Sequence, residues 1–542
     1  MPRFFFSRLF RASETVAGAA VIIAVLSIAS RVLGMLRDRI LASTFGAGQT
    51  LDMYYAAFRL PDLIFNLLIL GALSAGFIPV FSQLLAKKED KQAWRLASNI
   101  LNILGIALTV ICGLGMIFSP LLVRIIVPGF DAEAQATIAS LTRVMFLSPF
   151  LLGLSSIVGG MLQSFQRFFV YSLSPIFYNL GIIFGAVILA PRLGPVGLAW
   201  GVVIGSFLHL LIQLPALFRL GFRYERLIEW RDKGVRRIFS MMTARTLGLA
   251  VTQINLMIMT VIASTLASGS LSVFNLANNL QSFPVGIFGI SFAMAAFPLM
   301  SAVADKTDKL VEYFSKTFRQ IMFCIIPATV IMIALRAHIV RLILGAGKFD
   351  WEATGLTVTT LGFFAISFFA QAALPLLTRA FYARHDSKTP FFTGVVAEVA
   401  NLILALWLVG SFGVTGLALA FSVSSILNFL LLFVFLRRAL GSLQEGRIVV
   451  SIFKSSVAAF CAGIAIQAMK LFVWPATADL TRFWGVLLQA AAAGIFGLLV
   501  YFAVSSLMKS EEFIEVWAAI KRRVTRPWQK VQVEDQGEAR GI

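Results

Sequence analysis

Long apolar stretches recur along almost the whole chain and are separated by short polar connections. Each holds about 20 or more mainly hydrophobic residues, the length that an α-helix needs to cross a bilayer. The pattern predicts an all-α polytopic membrane protein with about fourteen transmembrane helices. The predicted helices lie near residues 15–42, 53–85, 93–119, 136–163, 169–190, 196–218, 236–266, 271–303, 314–335, 353–380, 390–410, 413–436, 449–472 and 482–508.

The composition supports this fold class. Of the 542 residues, 59% are hydrophobic and only 13% are charged, whereas soluble proteins carry roughly 25% charged residues. The net charge of +20 would suggest nucleic-acid binding in a soluble protein, but here the basic residues separate hydrophobic segments. We therefore attribute them to membrane topology and expect no nucleic-acid partner.

The basic residues are concentrated on one side of the predicted topology. Residues 219–237 hold seven Lys or Arg residues, whereas residues 41–51 hold none. Cytoplasmic loops of membrane proteins carry an excess of positive charge. The bias therefore predicts that the N- and C-termini are both cytoplasmic.

Two short motifs recur at one spacing, which indicates an internal repeat. Phe77–Ser82 resembles Ala296–Ser301, and Gly194–Ala199 resembles Gly413–Ala418, and the members of each pair are 219 positions apart. Six helices return the chain to its starting side, so two six-helix copies have the same orientation in the membrane. Parallel repeats of this kind are typical of alternating-access carriers, which bind their substrate between two lobes.

The repeat divides the chain into lobes, with further segments outside them. The predicted parts are a cytoplasmic N-terminus (1–14), an N-lobe (15–220), a cytoplasmic linker (221–235), a C-lobe (236–440), two more helices (441–508) and an amphipathic basic cytoplasmic tail (509–542).

The first two predicted helices carry charges that lipid disfavours. They are Arg31, Arg37, Asp38, Asp52 and Arg59, and each Arg or Asp costs roughly 2.5–3.5 kcal/mol at a bilayer centre. We predict that they face a watery cavity and bind an anionic substrate, with salt bridging among themselves as the structural alternative. Guanidinium groups bind phosphate oxygens bidentately, so a pyrophosphate suits this cluster.

Polar residues of the predicted C-lobe are candidates for the other side of the cavity. Arg245 lies 214 positions after Arg31 in a similar sequence context and either completes the cationic cluster or marks the cytoplasmic end of its helix. Asn278 and Asn279 are further candidates for substrate contact. The candidates for a coupling-cation site are Glu398, Asn401 and Asn255.

No pattern in the sequence is typical of an enzyme or a metal site. There is no Walker A phosphate loop, metal-ligand cluster or nucleophile–base pair, and the three cysteines lie singly in apolar segments. We therefore predict a transporter without catalytic residues, metal or other cofactor.

Several motifs together resemble those of a known transporter family. They are the run Ser30–Asp38, the turn Phe45–Gly48 followed by Asp52, the segment Arg59–Pro61, the segment Gly71–Pro79, and Ala267–Ser270 followed by Phe283–Gly286. In these residues the chain resembles the MurJ (MviN) lipid II flippases of the MOP transporter superfamily.

The resemblance implies a flippase of the bacterial cytoplasmic (inner) membrane. Its substrate would be lipid II, the undecaprenyl-pyrophosphate-linked peptidoglycan precursor, moved to the outer leaflet by alternating access. By position, the family's essential first-helix arginines and aspartate correspond to Arg31, Arg37 and Asp38. Its loop aspartate corresponds to Asp52, and its helix 2 basic residue corresponds to Arg59. The resemblance further implies that residues 441–508 form a groove for the lipid tail. Transport would be driven by the membrane potential or by a coupling cation (Na⁺ or H⁺). The expected partners are membrane lipids and cell-wall synthesis proteins, and the expected oligomeric state is a monomer.

The sequence also departs from the family pattern. Phe65 and Leu70 stand where relatives carry an arginine and a glutamate, and Asn278 and Asn279 replace a common acidic–basic pair. Three other functions therefore stay open: export of another undecaprenyl-pyrophosphate-linked oligosaccharide, MATE-like multidrug cation antiport, and a non-transporting cell-wall scaffold. Antiport of cationic drugs would favour intramembrane carboxylates, whereas arginine predominates here.

Overall fold

The computed structural model describes residues 16–70, 76–473, 482–515 and 517–518, and within them the secondary structure is helical. The helices of the first half are α1 (Val16–Phe45), α2 (Gln49–Ile64), α3 (Ile78–Ala86), α4 (Asp90–Ile126), α5 (Ala132–Met145), α6 (Leu147–Ser164), α7 (Phe168–Phe184), α8 (Pro195–Leu211) and α9 (Leu214–Arg219). Those after them in the chain are α10 (Lys233–Ser264), α11 (Ser270–Pro284), α12 (Ser291–Ala302), α13 (Thr307–Ile343), α14 (Trp351–Ala365), α15 (Phe368–Ala383), α16 (Lys388–Phe412), α17 (Val414–Leu440), α18 (Glu445–Ala468) and α19 (Phe483–Leu507).

Ten helical stretches of the described residues are long and apolar enough to cross a membrane, and α14 with α15, bent by 46°, makes up to eleven when the pair is counted as one span. In a bilayer a helix satisfies its own backbone hydrogen bonds, which is why apolar segments of this length fold this way. The chain is therefore a multi-pass membrane protein, as its sequence predicts. Because α1, α2 and α10 are not among these eleven, the count of fourteen spans stays a prediction.

Similar local features occur in the two halves at the predicted repeat spacing. Asp131 and Asp350, 219 positions apart, each cap a helix by accepting a hydrogen bond from the backbone N–H three residues later. Gly194 and Gly413, also 219 apart, both adopt positive φ, 63° and 56°, immediately before a helix. These features agree with a duplicated bundle, and the repeat itself stays a prediction. We call α1–α9 the N-half and α10–α17 the C-half.

Two α-helices that border the interface between the halves continue into π-helical turns. Pro61 lies in α2, which continues as the π-helix Phe65–Leu70, and Pro284 ends α11, which continues as the π-helix Val285–Ile290. Proline lacks the N–H that would close its own helical bond, so backbone irregularities cluster near it. In membrane proteins such irregular backbone is tolerated where it is buried in protein or lines a cavity.

Glycines bring α7 and α8 into backbone contact. A Cβ atom added to Gly181 would lie 2.2 Å from the Cα of Gly205, and one added to Gly185 would lie 2.4 Å from the Cα of Gly201. Small residues at helix interfaces allow this close approach in membranes. Because α7 also packs along α1, the glycine contact between α7 and α8 holds in place the helix against which α1 packs.

The residues after α19 are attached to the C-half. Arg319 on α13 pairs with Glu511 at 2.7 Å and with Glu512 at 2.6 Å, and Glu512 is only 4% exposed. The hydroxyl of Tyr501 on α19 donates to the carbonyl of Phe323 on α13 at 2.7 Å. The rest of the predicted tail (516 and 519–542) and the predicted N-terminus (1–14) lie outside the described residues.

Substitution of Gly185 by Ala tests the packing of α7 on α8. The added methyl group has no room, and overpacking of this kind costs about 1–3 kcal/mol. We expect a lower apparent melting temperature of the purified protein in detergent, measured by intrinsic fluorescence. Gly113→Ala is the matched control, because no neighbouring atom lies within 4 Å of its added Cβ. Equal melting temperatures for both variants would contradict the described contact.

Candidate functional site

Arg37 and Asp38 lie side by side on α1 at the interface between the halves. Nε and Nη2 of Arg37 donate to Oδ1 of Asp38 at 2.9 and 2.7 Å. Nη1 of Arg37 donates to Asn179 of α7 at 3.1 Å, and Nδ2 of Asn279 on α11 donates to Oδ2 of Asp38 at 3.0 Å. The pair is therefore held by both halves, and Asp38 is 6% exposed.

Arg59 reaches from α2 into the C-half. Its Nε donates to the hydroxyl of Thr260 on α10 at 2.7 Å, and its Nη2 donates to Oδ1 of Asn275 on α11 at 2.6 Å. Nδ2 of Asn275 in turn donates to the backbone carbonyl of Leu271, which fixes the amide with its oxygen toward Arg59. Both partners are neutral, so the charge of Arg59 is solvated by dipoles but not neutralised.

Arg31 lies about two helical turns before Asp38 on α1, against the π-helical segment Val285–Ile290 that continues α11. A Cβ atom added to Gly286 would lie 2.9 Å from Nη2 and 3.0 Å from Nη1 of Arg31. The glycine therefore leaves room for the guanidinium group beside the backbone. Arg31 is exposed, whereas Arg37 and Arg59 are half-buried.

The arginines keep donors for an additional ligand. A guanidinium group carries five N–H donors, of which the contacts above use three in Arg37 and two in Arg59. Structural pairing and binding of an anion are therefore compatible at this site. The residual donors point to a ligand with several acceptor oxygens, since an arginine binds such oxygens in pairs.

Acidic and phenolic groups complete the electrostatic environment. Asp62, one helical turn after Arg59, lies within electrostatic range of both Arg59 and Arg37, although no ion pair within 4 Å among the described residues includes it. The hydroxyl of Tyr55 is buried without a hydrogen-bond partner among those residues. Three arginines thus face two nearby aspartates, and the cluster retains net positive charge.

Asp52, by contrast, is fully engaged in joining the halves. Its Oδ2 accepts from the backbone N–H of Gly269 at 2.6 Å, and its Oδ1 accepts from the N–H of Ser272 at 2.7 Å and from the Ser272 hydroxyl. Asp52 is 2% exposed. A carboxylate at the N-terminus of a helix also interacts favourably with the helix dipole. Asp52, a side chain of the N-half, therefore caps α11, a helix of the C-half.

Further contacts between the halves surround this cap. The backbone N–H of Lys348 donates to the carbonyl of Ser43 at 2.8 Å, and the N–H of Gly129 donates to the Ser264 hydroxyl at 3.4 Å. A Cβ atom on Gly269, whose φ is +92°, would lie 2.2 Å from the carbonyl oxygen of Ala47. We call this closed region, built by Ser43, Asp52, Gly269 and Lys348, the Asp52 end.

At the opposite end of α2–α3, the connections involve the start of α10. Nη1 of Arg237 donates to Gln83 at 2.9 Å, and the backbone of Ile238 touches Gly76. The preceding linker is bound along α4, where Asn99 accepts from and donates to the backbone of Glu229 at 2.9 and 3.0 Å. The linker between the halves is therefore fixed to the N-half.

The predicted C-half residues divide into two groups. Asn279 joins the arginine cluster, and Oδ1 of Asn278 accepts from Gln281 at 2.8 Å. Asn401 on α16 donates to Asn255 on α10 at 2.8 Å and lies one helical turn after Glu398, which forms a separate polar group within the C-half. The side chain of Arg245 lies outside the described residues, so its role stays a prediction.

Sequence reasoning missed some partners of the arginines. Asn179 lies 142 positions from Arg37, and Thr260 lies 201 positions from Arg59. A single polar residue on an apolar helix gives no sign of a partner so far away. The described residues also contain no group of three or more His, Cys, Asp or Glu side chains that could hold a metal ion.

Comparison with known proteins places these features in a family. The family profile described as "Lipid II flippase MurJ" matches residues 41–481. The "Probable lipid II flippase MurJ" of Buchnera aphidicola subsp. Acyrthosiphon pisum is 31% identical over 441 residues, covering 80% of this chain and 86% of that protein. The Thermotoga maritima protein of the same name is 30% identical over 491 residues, covering 90% and 95%.

Solved structures share the fold. A lipid II flippase MurJ in an inward closed conformation aligns with a TM-score of 0.73 at 21% identity, over 93% of this chain and all of that chain. An inward-facing multidrug resistance MATE transporter of the MOP superfamily aligns with a TM-score of 0.65 at 16% identity, over 77% and 96%. Since the family profile covers most of the chain, the chain belongs to the lipid II flippase MurJ family.

Proposed function

We propose that this chain moves lipid II from the cytoplasmic to the external leaflet of the bacterial cytoplasmic membrane, with both termini in the cytoplasm. Family membership supports the substrate, and the arginine cluster between the halves supports where its pyrophosphate binds. The single observation that carries the proposal is that Arg31 and Arg59 reach from the N-half to the C-half, that Arg37 is joined to the C-half through Asp38, and that these three arginines retain net positive charge. The structural alternative, complete pairing of the charges, would leave no such charge.

The pyrophosphate would bind to the guanidinium N–H donors of Arg31, Arg37 and Arg59 that are not used in hydrogen bonds within the protein. A pyrophosphate brings several anionic oxygens, and each charge-assisted hydrogen bond contributes roughly 1.5–3 kcal/mol. The hydrogen bonds to Asn179, Thr260 and Asn275 hold the guanidinium groups in place before the ligand arrives. Asn278 and Asn279 would contact the substrate from the C-half, and so would Arg245 if its side chain joins the cluster.

The contacts between the halves suggest how access alternates. With the Asp52 end closed, the arginine site would be reached from the cytoplasmic side once the contacts of Arg237 with Gln83 and of Ile238 with Gly76 separate. Opening outward requires Asp52 to release the start of α11, which exposes its backbone N–H groups and the carboxylate to water. Because the linker before α10 is fixed to α4, the C-half would rock about this attachment.

The energy for transport would come from a coupling cation and from the membrane potential. The polar group of Asn255, Glu398 and Asn401 would bind the cation, Na⁺ or H⁺, within the C-half. The membrane potential would act as well, because each charge moved through the full field is worth about 2.3 kcal/mol per 100 mV. We infer that the protein needs no cofactor, acts as a monomer in membrane lipid, and serves the cell-wall synthesis proteins that consume its product.

Removal of single guanidinium groups tests the site. We expect Arg31→Ala, Arg37→Ala and Arg59→Ala each to slow translocation of fluorescent lipid II in proteoliposomes by about tenfold or more, because each removes at least one charge-assisted hydrogen bond. Arg192→Ala is the matched control, since Arg192 is an exposed arginine in the short helix Ala190–Leu193 between α7 and α8. Undiminished transport in all three site variants would refute the proposed binding site.

The same assay separates the rival functions. Transport of a different undecaprenyl-pyrophosphate oligosaccharide in preference to lipid II would change the substrate and leave the site intact. Uptake of a cationic drug against a proton gradient, without movement of lipid II, would favour antiport. Absence of all transport by the unaltered chain would favour a scaffold.

Loss of the cap on α11 tests the closing contact. Asp52→Asn replaces a carboxylate oxygen by an amide N–H facing a backbone donor, so we expect the Asp52 end to open more often. Spin labels at the exposed positions Gln49 and Lys348 would then show a larger long-distance population by double electron–electron resonance. Asp350→Asn is the matched control, because Asp350 caps α14 within the C-half. An identical distance distribution for the variant and the unaltered chain would contradict this role of Asp52.

A further inference from the structure

A second basic cluster lies near the Asp52 end, outside the interface between the halves. Its members are Arg336 and His338 on α13 and Lys470 in the π-helical segment Met469–Val473 that continues α18. Lys470 lies within electrostatic range of both Arg336 and His338. In the proposed orientation this end is external, where the positive-inside bias makes basic residues uncommon. A concentration of cations here calls for a reason other than topology.

Hydrogen bonds hold the cluster between three helices. Nζ of Lys470 donates to the carbonyl of Ala334 on α13 at 3.0 Å. Gln489 on α19 donates through Nε2 to the carbonyl of Lys470 at 3.4 Å, and its Oε1 lies 2.7 Å from Nε2 of His338. These contacts join α13, the end of the α18 segment and α19 around one point.

One buried atom of this network lacks a partner. An amide oxygen only accepts, so Nε2 of His338 is the donor to Gln489 and carries a proton. Nδ1 of His338 is buried and has no hydrogen-bond partner among the described residues. Buried polar atoms of this kind are normally satisfied, which points to a ligand. With the proton on Nε2, Nδ1 of the neutral ring is an acceptor, which a hydroxyl of a phosphate group or a water molecule held by it would satisfy.

The cluster is also not neutralised by the protein. No ion pair within 4 Å among the described residues includes Arg336, His338 or Lys470. Arg336 is exposed, and its Nη1 would lie 2.6 Å from a Cβ atom added to Gly362 on α14. That glycine leaves space for the guanidinium, as Gly286 does for Arg31. The arrangement presents two cations and an unsatisfied ring nitrogen.

We propose that this cluster, which we call the exit site, binds the pyrophosphate of the lipid carrier after it has left the arginine cluster. The inference rests on the proposed function. Guanidinium and ammonium groups are phosphate ligands, and the neighbouring Leu471 and Leu488 are 63% and 55% exposed toward lipid, which suits a polyprenyl chain. Arg39 joins α1 to two of the helices that carry the exit site, since it donates to the carbonyl of Leu342 on α13 and lies over the Phe483 ring of α19 at 5.1 Å.

Binding of undecaprenyl pyrophosphate, measured by native mass spectrometry of the full-length protein, tests this inference without requiring transport. All measurements use a background variant that carries Arg31→Gln, Arg37→Gln and Arg59→Gln. Because the arginine cluster is removed in it, any binding that remains reports on the exit site. We expect this background to bind the probe, and Arg336→Gln with Lys470→Gln to weaken that binding about tenfold or more. Arg336→Lys with Lys470→Arg keeps both charges and should retain binding. Arg124→Gln with Arg192→Gln, two exposed arginines of the N-half, is the matched control.

Each other outcome overturns the exit site. If the background variant does not bind undecaprenyl pyrophosphate, the exit site does not bind the carrier. The same conclusion follows if the Arg336 and Lys470 substitutions leave that binding unchanged. Phosphatidylglycerol that competes as well as undecaprenyl pyrophosphate assigns the cluster to ordinary anionic lipid instead. Failure of the unaltered chain to move lipid II would refute the proposed function, and this result is independent of the binding measurement.

Discussion

The cost of holding guanidinium groups inside a membrane shapes the interface between the two halves. Two arginines of the site are solvated by groups that the opposite half or a neighbouring helix supplies: Asn179 for Arg37, and Thr260 and Asn275 for Arg59. Arg37 is also paired with Asp38, whereas both hydrogen-bond partners of Arg59 are neutral, so the cluster as a whole keeps net positive charge. That arrangement keeps the protein folded around a cationic site and leaves that site able to bind an anion.

The same interface also sets the conformational state. Asp52 directs both of its carboxylate oxygens to the start of α11, and α11 carries Asn275 and Asn279, which reach Arg59 and Asp38. Movement of α11 therefore changes the cap and the arginine contacts together. Closure of the Asp52 end and the shape of the arginine cluster are coupled through one helix, which alternating access at the proposed site would require.

The sequence predicted the fold class well, because apolar length and helical periodicity are local properties. It also singled out Arg31, Arg37, Asp38 and Arg59, which lie at the interface between the halves, since charges inside apolar segments stand out without knowledge of the fold; their role in binding stays a prediction. The role of Asp52 as a cap on α11 could not be predicted from the sequence, because its partners are backbone N–H groups more than 200 positions away. Its sequence context gives only a carboxylate near a turn. The polar group of Glu398 and Asn401 lies apart from the arginines, which the sequence could not show.

Contact between the pyrophosphate and the arginines tests the central claim most directly. Solid-state NMR with ³¹P–¹⁵N dipolar recoupling would detect arginine guanidinium nitrogens close to the phosphorus atoms of bound lipid II in membranes. The account predicts strong dephasing of guanidinium signals that is largely lost in the variant with Gln at Arg31, Arg37 and Arg59. Equal dephasing in that variant, with lipid II bound to the same extent, would contradict it.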